Sequence, residues 1–200
     1  DLEDSVPVER KNAARELLAP GVKQLAGQIP VFVRVNSPLD LLRDDVASLP
    51  LDLLEGVLLP KVESAQQVKL LASMLAAKQG NDAAPTPIAA LIETPMGILR
   101  CEEIANAHPS VVALGFGAED YAASMMIEPR PESMRWPAQA VTNCARAYQL
   151  ACWGLPGSVA EIEDMLAFGL LVKQARDIGF TGTVCIHPRQ VGVVNQGFDP

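Results

Sequence analysis

The chain has 200 residues, of which 49% are hydrophobic and 20% are charged, and this balance is typical of a globular protein with one substantial core. No apolar run reaches the roughly 18 residues of a membrane-spanning helix. The net charge of −8 argues against a nucleic-acid-binding surface, although it permits a local basic pocket. We interpret residues 1–200 as a single domain and expect it to be incomplete at its N-terminus and also at its C-terminus.

Four cysteines are spread along the chain without a C-x-x-C pair or the spacing of a zinc site. Three of them, Cys144, Cys152 and Cys185, have apolar neighbours in the sequence, which predicts buried free thiols. Free thiols are typical of a reducing compartment, so we expect a cytoplasmic protein.

Six short apolar runs rich in Val, Ile and Leu alternate with amphipathic stretches along the chain. The runs are almost continuously apolar, which is typical of parallel strands buried on both faces. The predicted strands are Val31–Val35, Gly56–Leu59, Ile88–Ile92, Val111–Phe116, Leu150–Leu155 and Thr183–Ile186. The predicted helices are Val8–Leu18, Leu39–Leu49, Ser64–Gln79, Gly97–Ala107, Pro137–Gln149 and Val159–Ile178.

The residues that close successive runs are 27 to 34 positions apart. A repeat of about 30 residues favours α/β architecture in the form of a (β/α)8 TIM barrel. The six runs and a strand end at Asp1–Asp4 would leave this barrel without its first strand and most of its second. A doubly wound sheet is the alternative, but its Gly-rich phosphate loop is not found in the sequence.

Local signals refine the predicted boundaries. Ser158 and Glu161 have the spacing of a capping box at the start of the last long helix, and Gly179 stands where a C-terminal cap glycine is expected. The segment Gly80–Pro87 predicts a surface turn. The segment Met125–Pro137 contains three prolines and is either a mobile active-site segment or a solvated connection.

The polar residues that close the strands would all lie at one mouth of a barrel. This set comprises Glu3, Asp4, Arg34, Asn36, Lys61, Glu93 and Asp120. Glu93 and Asp120 follow consecutive strands, so their carboxylates can be neighbours. With no Cys or His cluster beside them, oxygen coordination points to Mg²⁺, with Mn²⁺ as an alternative. In the other interpretation these residues only form salt bridges that cap the barrel.

Further residues near the strand ends are suited to binding a substrate. The guanidinium of Arg34 fits a carboxylate or a developing enolate oxygen. Gly117 allows the backbone to approach a ligand closely, and Pro95 opens a helix whose free N–H groups can bind an anion. The predicted substrate-binding residues are Arg34, Asn36, Pro95, Gly117, Ala118 and Glu119. We interpret His187 as a structural histidine rather than a site residue.

Six short motifs occur in order along essentially the whole chain. They are Asp1–Val6 (DLEDSV), Arg34–Asn36 (RVN), Leu59–Ser64 (LPKVES), Leu91–Gly97 (LIETPMG), Leu114–Asp120 (LGFGAED) and Ile186–Gln190 (IHPRQ). Together they resemble the family of the citrate lyase β subunit, malyl-CoA lyase and citramalyl-CoA lyase. The resemblance implies a TIM barrel of the phosphoenolpyruvate/pyruvate-binding superfamily, assembled as a homotrimer or hexamer.

The resemblance also implies roles for individual residues. The positions that bind Mg²⁺ in the family are Glu93 and Asp120 here, and Arg34 would contact substrate and stabilise enolate charge. Glu3 and Asp4 would lie near the metal-bound waters, and Lys61 completes the predicted catalytic set. Longer family members supply an acid/base aspartate from a C-terminal lid, and no such segment follows Pro188 in this sequence.

The activity that the resemblance implies is a retro-Claisen or retro-aldol cleavage of a 3-hydroxyacyl-CoA thioester. The products would be a 2-oxo acid (or glyoxylate) and acetyl-CoA, from citramalyl-CoA, malyl-CoA or citryl-CoA. One alternative is a citrate lyase β subunit that acts on an acyl-carrier-protein thioester. The others are a malyl-CoA thioesterase and a non-catalytic barrel that binds a CoA ligand.

Overall fold

The computed structural model describes residues 1–80 and 84–199, so the predicted turn Gly80–Pro87 lies partly outside the described residues. The strands in these ranges are β1 (Phe32–Arg34), β2 (Gly56–Leu59), β3 (Ile88–Ile92), β4 (Val111–Phe116) and β5 (Ala151–Gly154). The helices there are α1 (Lys11–Leu25), α2 (Leu39–Ser48), α3 (Ala65–Gln79), α4 (Pro95–Leu99), α5 (Cys101–Ala105), α6 (Ala118–Met125), α7 (Pro131–Ala147), α8 (Met165–Asp177) and α9 (Pro188–Phe198). Short 3₁₀ turns at Val8–Arg10 and Leu51–Leu53 precede α1 and β2.

The five strands form one parallel sheet in the order β1-β2-β3-β4-β5, which confirms the predicted α/β architecture. In a flat sheet the two outer strands would be about 19 Å apart, since neighbouring strands are about 4.8 Å apart. Yet the rings of Phe32 on β1 and Trp153 on β5 meet edge to face with centroids 5.6 Å apart. The sheet therefore curves strongly and forms part of a barrel, with its helices packed on the convex side.

Large side chains on the concave face of the sheet lie over glycines of the next strand. A methyl group placed on Gly56 would lie 2.6 Å from the ring of Phe32, and one on Gly115 would lie 2.5 Å from Leu91. Both distances are far inside the usual 3.5–4.0 Å contact between carbon atoms. These glycines therefore provide the space in which large residues can point into a narrow barrel.

The predicted sixth strand, Thr183–Ile186, is wrong. Only Gly182 forms an isolated parallel bridge, with Trp153, before the chain leaves the sheet. The reason is that β5 ends at Gly154, whose N–H donates to the oxygen of Gly182 at 2.9 Å. Beyond that hydrogen bond no strand continues beside the segment, so its apolar residues line a cavity instead of extending the sheet.

Two helix starts differ from the predictions by six residues. The last long helix, predicted from Val159, begins at Met165, because the carboxylate of Asp164 accepts the N–H groups of residues 166 and 167 at 3.0 Å and caps it. The predicted capping box at Ser158 is therefore wrong. Helix α7 begins at Pro131 rather than Pro137, since proline at the first helical position loses no hydrogen bond. That start leaves only residues 126–130 as a loop.

Other local predictions have mixed outcomes. Gly179 has φ of +106° just beyond α8, which confirms the expected C-terminal cap. The single helix predicted at Gly97–Ala107 is wrong, because Arg100 leaves helical geometry and separates α4 from α5. No helix among the described residues combines the length and apolarity needed to cross a membrane.

The segment before α1 is held against β1 by hydrogen bonds rather than by a strand ladder. The N–H of Leu2 donates to the oxygen of Arg34 at 2.9 Å. The buried ammonium of Lys11 donates to the oxygens of Leu2 and Glu3 at 2.6 and 2.7 Å. The side-chain amide of Asn36 also donates to the oxygen of Leu2, at 2.9 Å. These bonds fix Glu3 beside the carboxyl end of β1.

Asp45 on α2 anchors the same region from behind. Its carboxylate is fully buried and accepts from both the backbone and the side-chain nitrogen of Asn36 at 2.7 Å. Its other oxygen accepts from Nε of Arg15 at 2.8 Å. A buried carboxylate is tolerated only when its lone pairs are satisfied, and here they bind three donors from two different elements.

We expect Asp45→Ala to lower the free energy of unfolding by about 3–5 kcal/mol, because it leaves the buried Arg15 and Asn36 donors without an acceptor. Asp44→Ala is the matched control, since Asp44 also pairs with Arg15 but its side chain is 66% exposed. The control should cost less than about 1 kcal/mol. Urea unfolding measures both values, and equal losses for the two variants would contradict this account of the anchor.

Candidate active site

A cavity of about 630 Å³ opens at the carboxyl ends of the strands. Several residues predicted for the site line it together. They are Arg34, Glu93, Gly117, Ala118, Glu119 and Asp120. The remaining predicted residues are not part of its wall: Glu3, Asp4 and Lys61 form a charged network beside it, while Asn36 and Pro95 lie elsewhere.

Glu93 is the buried acid of the cavity. It follows β3, is only 5% exposed, and its Oε2 accepts the backbone N–H of Lys61 at 2.8 Å. Burial raises the pKa of Glu93 to about 7; the hydrogen bond from Lys61 opposes this rise, and the negative charges of Asp120 and Glu3 add to it. The carboxylate is thus held in place where its negative charge is unfavourable without a cation.

Asp120 lies in the first turn of α6 and is half-buried. Its Oδ2 is 3.7 Å from the ammonium of Lys61. Its charge contributes to the raised pKa of Glu93, which means that the two carboxylates lie within electrostatic reach of each other. The sequence predicted that these two residues would converge, and the structure places both on the wall of one cavity.

Lys61 connects the two carboxylates to the segment before α1. Its ammonium donates to Glu3 at 2.7 Å and to Asp4 at 2.8 Å, and its backbone has a left-handed φ of 52° that is uncommon outside glycine. Burial lowers the pKa of Lys61, but the hydrogen bonds with Asp4 and Glu3 outweigh it and raise the pKa above its ordinary value. Lys61 therefore stays charged at neutral pH.

Arg34 points its guanidinium into the cavity, where it is paired on both sides. Nε and Nη2 bind the carboxylate of Asp1 at 2.8 and 2.6 Å, and Nη1 lies 3.0 Å from Glu3. The paired arrangement of Nε and Nη2 is the one that guanidinium uses for planar carboxylates in general. The side chain remains 27% exposed, so a ligand carboxylate can compete for it.

The donor set fits a hard divalent cation. Glu93 and Asp120 offer oxygen atoms only, and their mutual repulsion would be relieved by a positive ion between them. Within residues 1–80 and 84–199 no group of three or more His, Cys, Asp or Glu side chains forms a complete cage. Two carboxylates are the number that Mg²⁺ commonly takes from protein when waters or substrate supply its other positions.

Two predicted substrate-binding residues serve the scaffold instead of the cavity wall. The amide of Asn36 is occupied by Leu2 and Asp45. Pro95 is the first residue of α4, where Thr94 caps the helix by accepting the N–H of Gly97 at 3.1 Å. A substrate role for Asn36 or Pro95 stays a prediction, and neither lines the cavity.

The family of the chain follows from its comparison with known proteins. The family model described as HpcH/HpaI aldolase/citrate lyase matches residues 1–188. This chain belongs to that family. The resemblance inferred from the six motifs is therefore confirmed.

Individual members of the HpcH/HpaI aldolase/citrate lyase family are similar over the whole chain. The citrate lyase subunit beta of Haemophilus influenzae is 33% identical over 211 residues, covering 100% of this chain and 70% of that protein. The (3S)-malyl-CoA thioesterase of Cereibacter sphaeroides is 31% identical over 204 residues, covering 100% and 68%. CitE from Mycobacterium tuberculosis, solved with magnesium and acetoacetate, matches with a TM-score of 0.77 at 29% identity, covering 100% and 80%. The TIM-type barrel is thus confirmed.

One contact at the cavity of this HpcH/HpaI-family chain, between Ser158 and Glu119, was not predicted from the sequence. The hydroxyl of Ser158 donates to Oε1 of Glu119 and accepts the N–H of Ala160 at 3.0 Å. The loop that carries Ser158 is also held by Gln190, whose fully buried amide donates to the oxygens of Val159 and Glu161 at 2.7 and 3.1 Å. The middle of the loop after β5 is therefore held by two contacts, one with Glu119 and one with Gln190.

His187 precedes the helix that carries Gln190, α9. Its ring accepts the N–H of Arg189 at 3.2 Å and caps α9, and Gln190 completes the capping box by accepting the N–H of His187. This agrees with the interpretation of His187 as a structural residue. The IHPRQ motif carried the signal for Gln190, whereas nothing in the sequence pointed to the pairing of Ser158 with Glu119.

The buried charge of Glu93 predicts a pH effect on the metal-free protein. Its pKa is about 7 in the folded chain, above the value of 4.5 for a free side chain, so the folded state favours the protonated form. The stability that this group contributes is complete below pH 4.5 and is lost as the pH rises to about 7. We expect the free energy of unfolding of the wild type to fall by about 3 kcal/mol over this range, and that of Glu93→Gln not to show this fall.

Urea unfolding in EDTA at several pH values between 4.5 and 7.5 measures this difference. The unfolding free energy of Glu93→Gln should rise relative to the wild type as the pH increases. Parallel curves for the two proteins would rule out Glu93 as the source of the effect.

Proposed function

We propose that this chain is a magnesium-dependent carbon–carbon lyase that cleaves a 3-hydroxyacyl-CoA thioester to a 2-oxo acid (or glyoxylate) and acetyl-CoA. The single observation that carries the proposal is that Glu93, Asp120 and Arg34 line one cavity at the carboxyl ends of the strands. Active sites of TIM-type barrels lie at that end. Family membership supports lyase chemistry on a thioester, and the substrate and the metal are our proposals.

Glu93 and Asp120 would hold the Mg²⁺ ion. When bound there, the ion would act as a Lewis acid on hydroxyl and carboxylate oxygens of the substrate and would favour loss of the hydroxyl proton. Support for this assignment comes from the oxygen-only donor set and from the mutual repulsion of the two carboxylates. The complex of CitE from Mycobacterium tuberculosis with magnesium and acetoacetate adds support from a relative.

In the proposed cleavage, the substrate hydroxyl gives up its proton and becomes the carbonyl group of the oxo acid. The electron pair of the breaking carbon–carbon bond moves into the thioester fragment, which becomes an enolate. That enolate then takes up a proton at carbon and forms acetyl-CoA. Arg34 would stabilise the enolate oxygen, and support for this role comes from its permanently charged guanidinium on the cavity wall.

Lys61, Glu3 and Asp4 fit a positioning role better than proton transfer. The raised pKa of Lys61 keeps its ammonium charged, so it cannot act as a base near neutral pH. The hydrogen bond from Lys61 holds the pKa of Asp4 below its ordinary value, so Asp4 is a poor acid. The network instead fixes two groups in position. One is the backbone N–H of Lys61, which binds Glu93, and the other is the carboxylate of Glu3, which binds Arg34.

Apolar side chains also line the cavity. They include Phe32, Leu58, Leu91 and Trp153, which line it together with the charged residues at the strand ends. Malyl-, citramalyl- and citryl-CoA are the thioesters to compare. A (3S)-malyl-CoA thioesterase among the relatives favours hydrolysis as the second candidate. The citrate lyase subunit beta of Haemophilus influenzae makes an acyl-carrier-protein thioester the third.

One experiment separates these candidates. The protein is incubated with malyl-, citramalyl- or citryl-CoA, or with the corresponding acyl-carrier-protein thioester, in the presence of Mg²⁺ or EDTA. Oxo acid and free thiol are measured in parallel. A lyase releases oxo acid and no free thiol, whereas a thioesterase releases free CoA without oxo acid. Activity that appears only with an acyl-carrier-protein thioester identifies a carrier-dependent subunit. Turnover that persists in EDTA or in Glu93→Ala would refute the magnesium-dependent mechanism.

We expect Arg34→Lys to lower kcat by about 10²–10³-fold, because an ammonium cannot reproduce the two-pronged stabilisation of a planar oxygen group. Arg100→Lys is the control, since Arg100 contacts the oxygen of Glu63 and lies outside the cavity wall. Steady-state kinetics of the two variants check this. Equal kcat values for Arg34→Lys and the control would show that Arg34 does not act on the reacting atoms.

A further inference from the structure

Gly117 has no backbone reason to be glycine. Its φ of −98° and ψ of 92° are open to any residue. Its N–H donates to the oxygen of Ile92 at 3.2 Å, and its own oxygen accepts the N–H of Tyr121 at 3.1 Å. The backbone at Gly117 is therefore fixed between β3 and α6. The requirement for glycine must come from the space that a side chain would fill.

That space is occupied by the side chain of Glu93. A methyl group on Gly117 would lie 2.5 Å from Oε1, 2.6 Å from Cγ and 3.0 Å from Cδ of Glu93. Glu93 cannot easily move away, because it is buried and its Oε2 is held by the N–H of Lys61 at 2.8 Å. The carboxylate thus stands in a slot with Lys61 on one side and the bare Cα of Gly117 on the other.

We propose that Gly117 is a positioning residue, whose missing side chain sets where the Glu93 carboxylate stands relative to Asp120. The inference rests on the proposed function in so far as these two carboxylates hold a divalent cation. Mg²⁺ demands nearly ideal geometry at about 2.0–2.1 Å, so a displacement forced by one methyl group would weaken its binding. This role differs from the predicted contact of Gly117 with substrate.

The neighbouring Gly115 provides a matched control. It lies two residues earlier in the chain, on β4, and a methyl group there would lie 2.5 Å from a terminal carbon of Leu91. The steric conflict is therefore similar in size but involves an apolar side chain. Alanine at either position should destabilise the fold, whereas only alanine at Gly117 should disturb the metal carboxylate.

Calorimetric titration with Mg²⁺ tests the proposal. Relative to wild type, Gly117→Ala should weaken Mg²⁺ binding by about 10–100-fold, the usual range for residues that orient a metal ligand. Gly115→Ala should bind Mg²⁺ as the wild type does. Glu93→Ala removes Cγ, Cδ and both carboxylate oxygens, and with them the conflict, so adding Gly117→Ala to Glu93→Ala should lower the unfolding free energy in urea by less than adding it to the wild type does.

Several outcomes would overturn the inference. Wild-type affinity in Gly117→Ala, or equal losses in the two glycine variants, would do so. A wild type that binds no Mg²⁺ refutes the proposed function. The contact is then tested by urea unfolding in EDTA, where additive effects of Gly117→Ala and Glu93→Ala on the unfolding free energy refute the inference. If Gly117→Ala does not fold, the double variant must restore folding; a double variant that also fails to fold counts against the inference.

Discussion

The placement of the buried Glu93 carboxylate is the constraint on which the rest of the site depends. A carboxylate in an apolar environment is costly unless donors or a cation compensate it. Here one backbone N–H, from Lys61, holds one oxygen, and the bare Cα of Gly117 leaves room for the other. The negative charge is still unfavourable there, which favours the binding of a cation. The buried carboxylate therefore both lowers the stability of the fold and supplies the proposed metal ligand.

A second set of buried polar groups, outside the cavity wall, supports the residues around Glu93. Lys11 and Asn36 donate to backbone oxygens of the segment before α1, and Asp45 accepts from Asn36, which keeps Glu3 beside the cavity. Glu3 in turn orients Arg34 and the ammonium of Lys61. Removal of any one of these groups would leave buried donors or acceptors without partners, so the site and the scaffold are difficult to change separately.

The sequence predicted the sheet and the centre of the site because both follow from periodic patterns. Continuous apolar runs identify buried parallel strands, and residues that close neighbouring strands must meet at one end of a barrel. The contacts that the sequence did not reveal have a different physical cause. The hydrogen bond from Asn36 to Asp45 and the helix cap at Asp164 depend on which of several nearby polar groups lies within hydrogen-bond distance of a donor. These distances are set by the three-dimensional fold, so they produce no periodic pattern in the sequence.

The two tryptophans of the chain lie in contrasting surroundings, which has a practical consequence. Trp153 lines the cavity and packs against Phe32, whereas Trp136 on α7 is 62% exposed to solvent. Indole emission shifts with the polarity around the ring, so the two residues would contribute separable signals. A chain that keeps Trp153 alone would carry an intrinsic fluorescent reporter of cavity occupancy, without any attached dye.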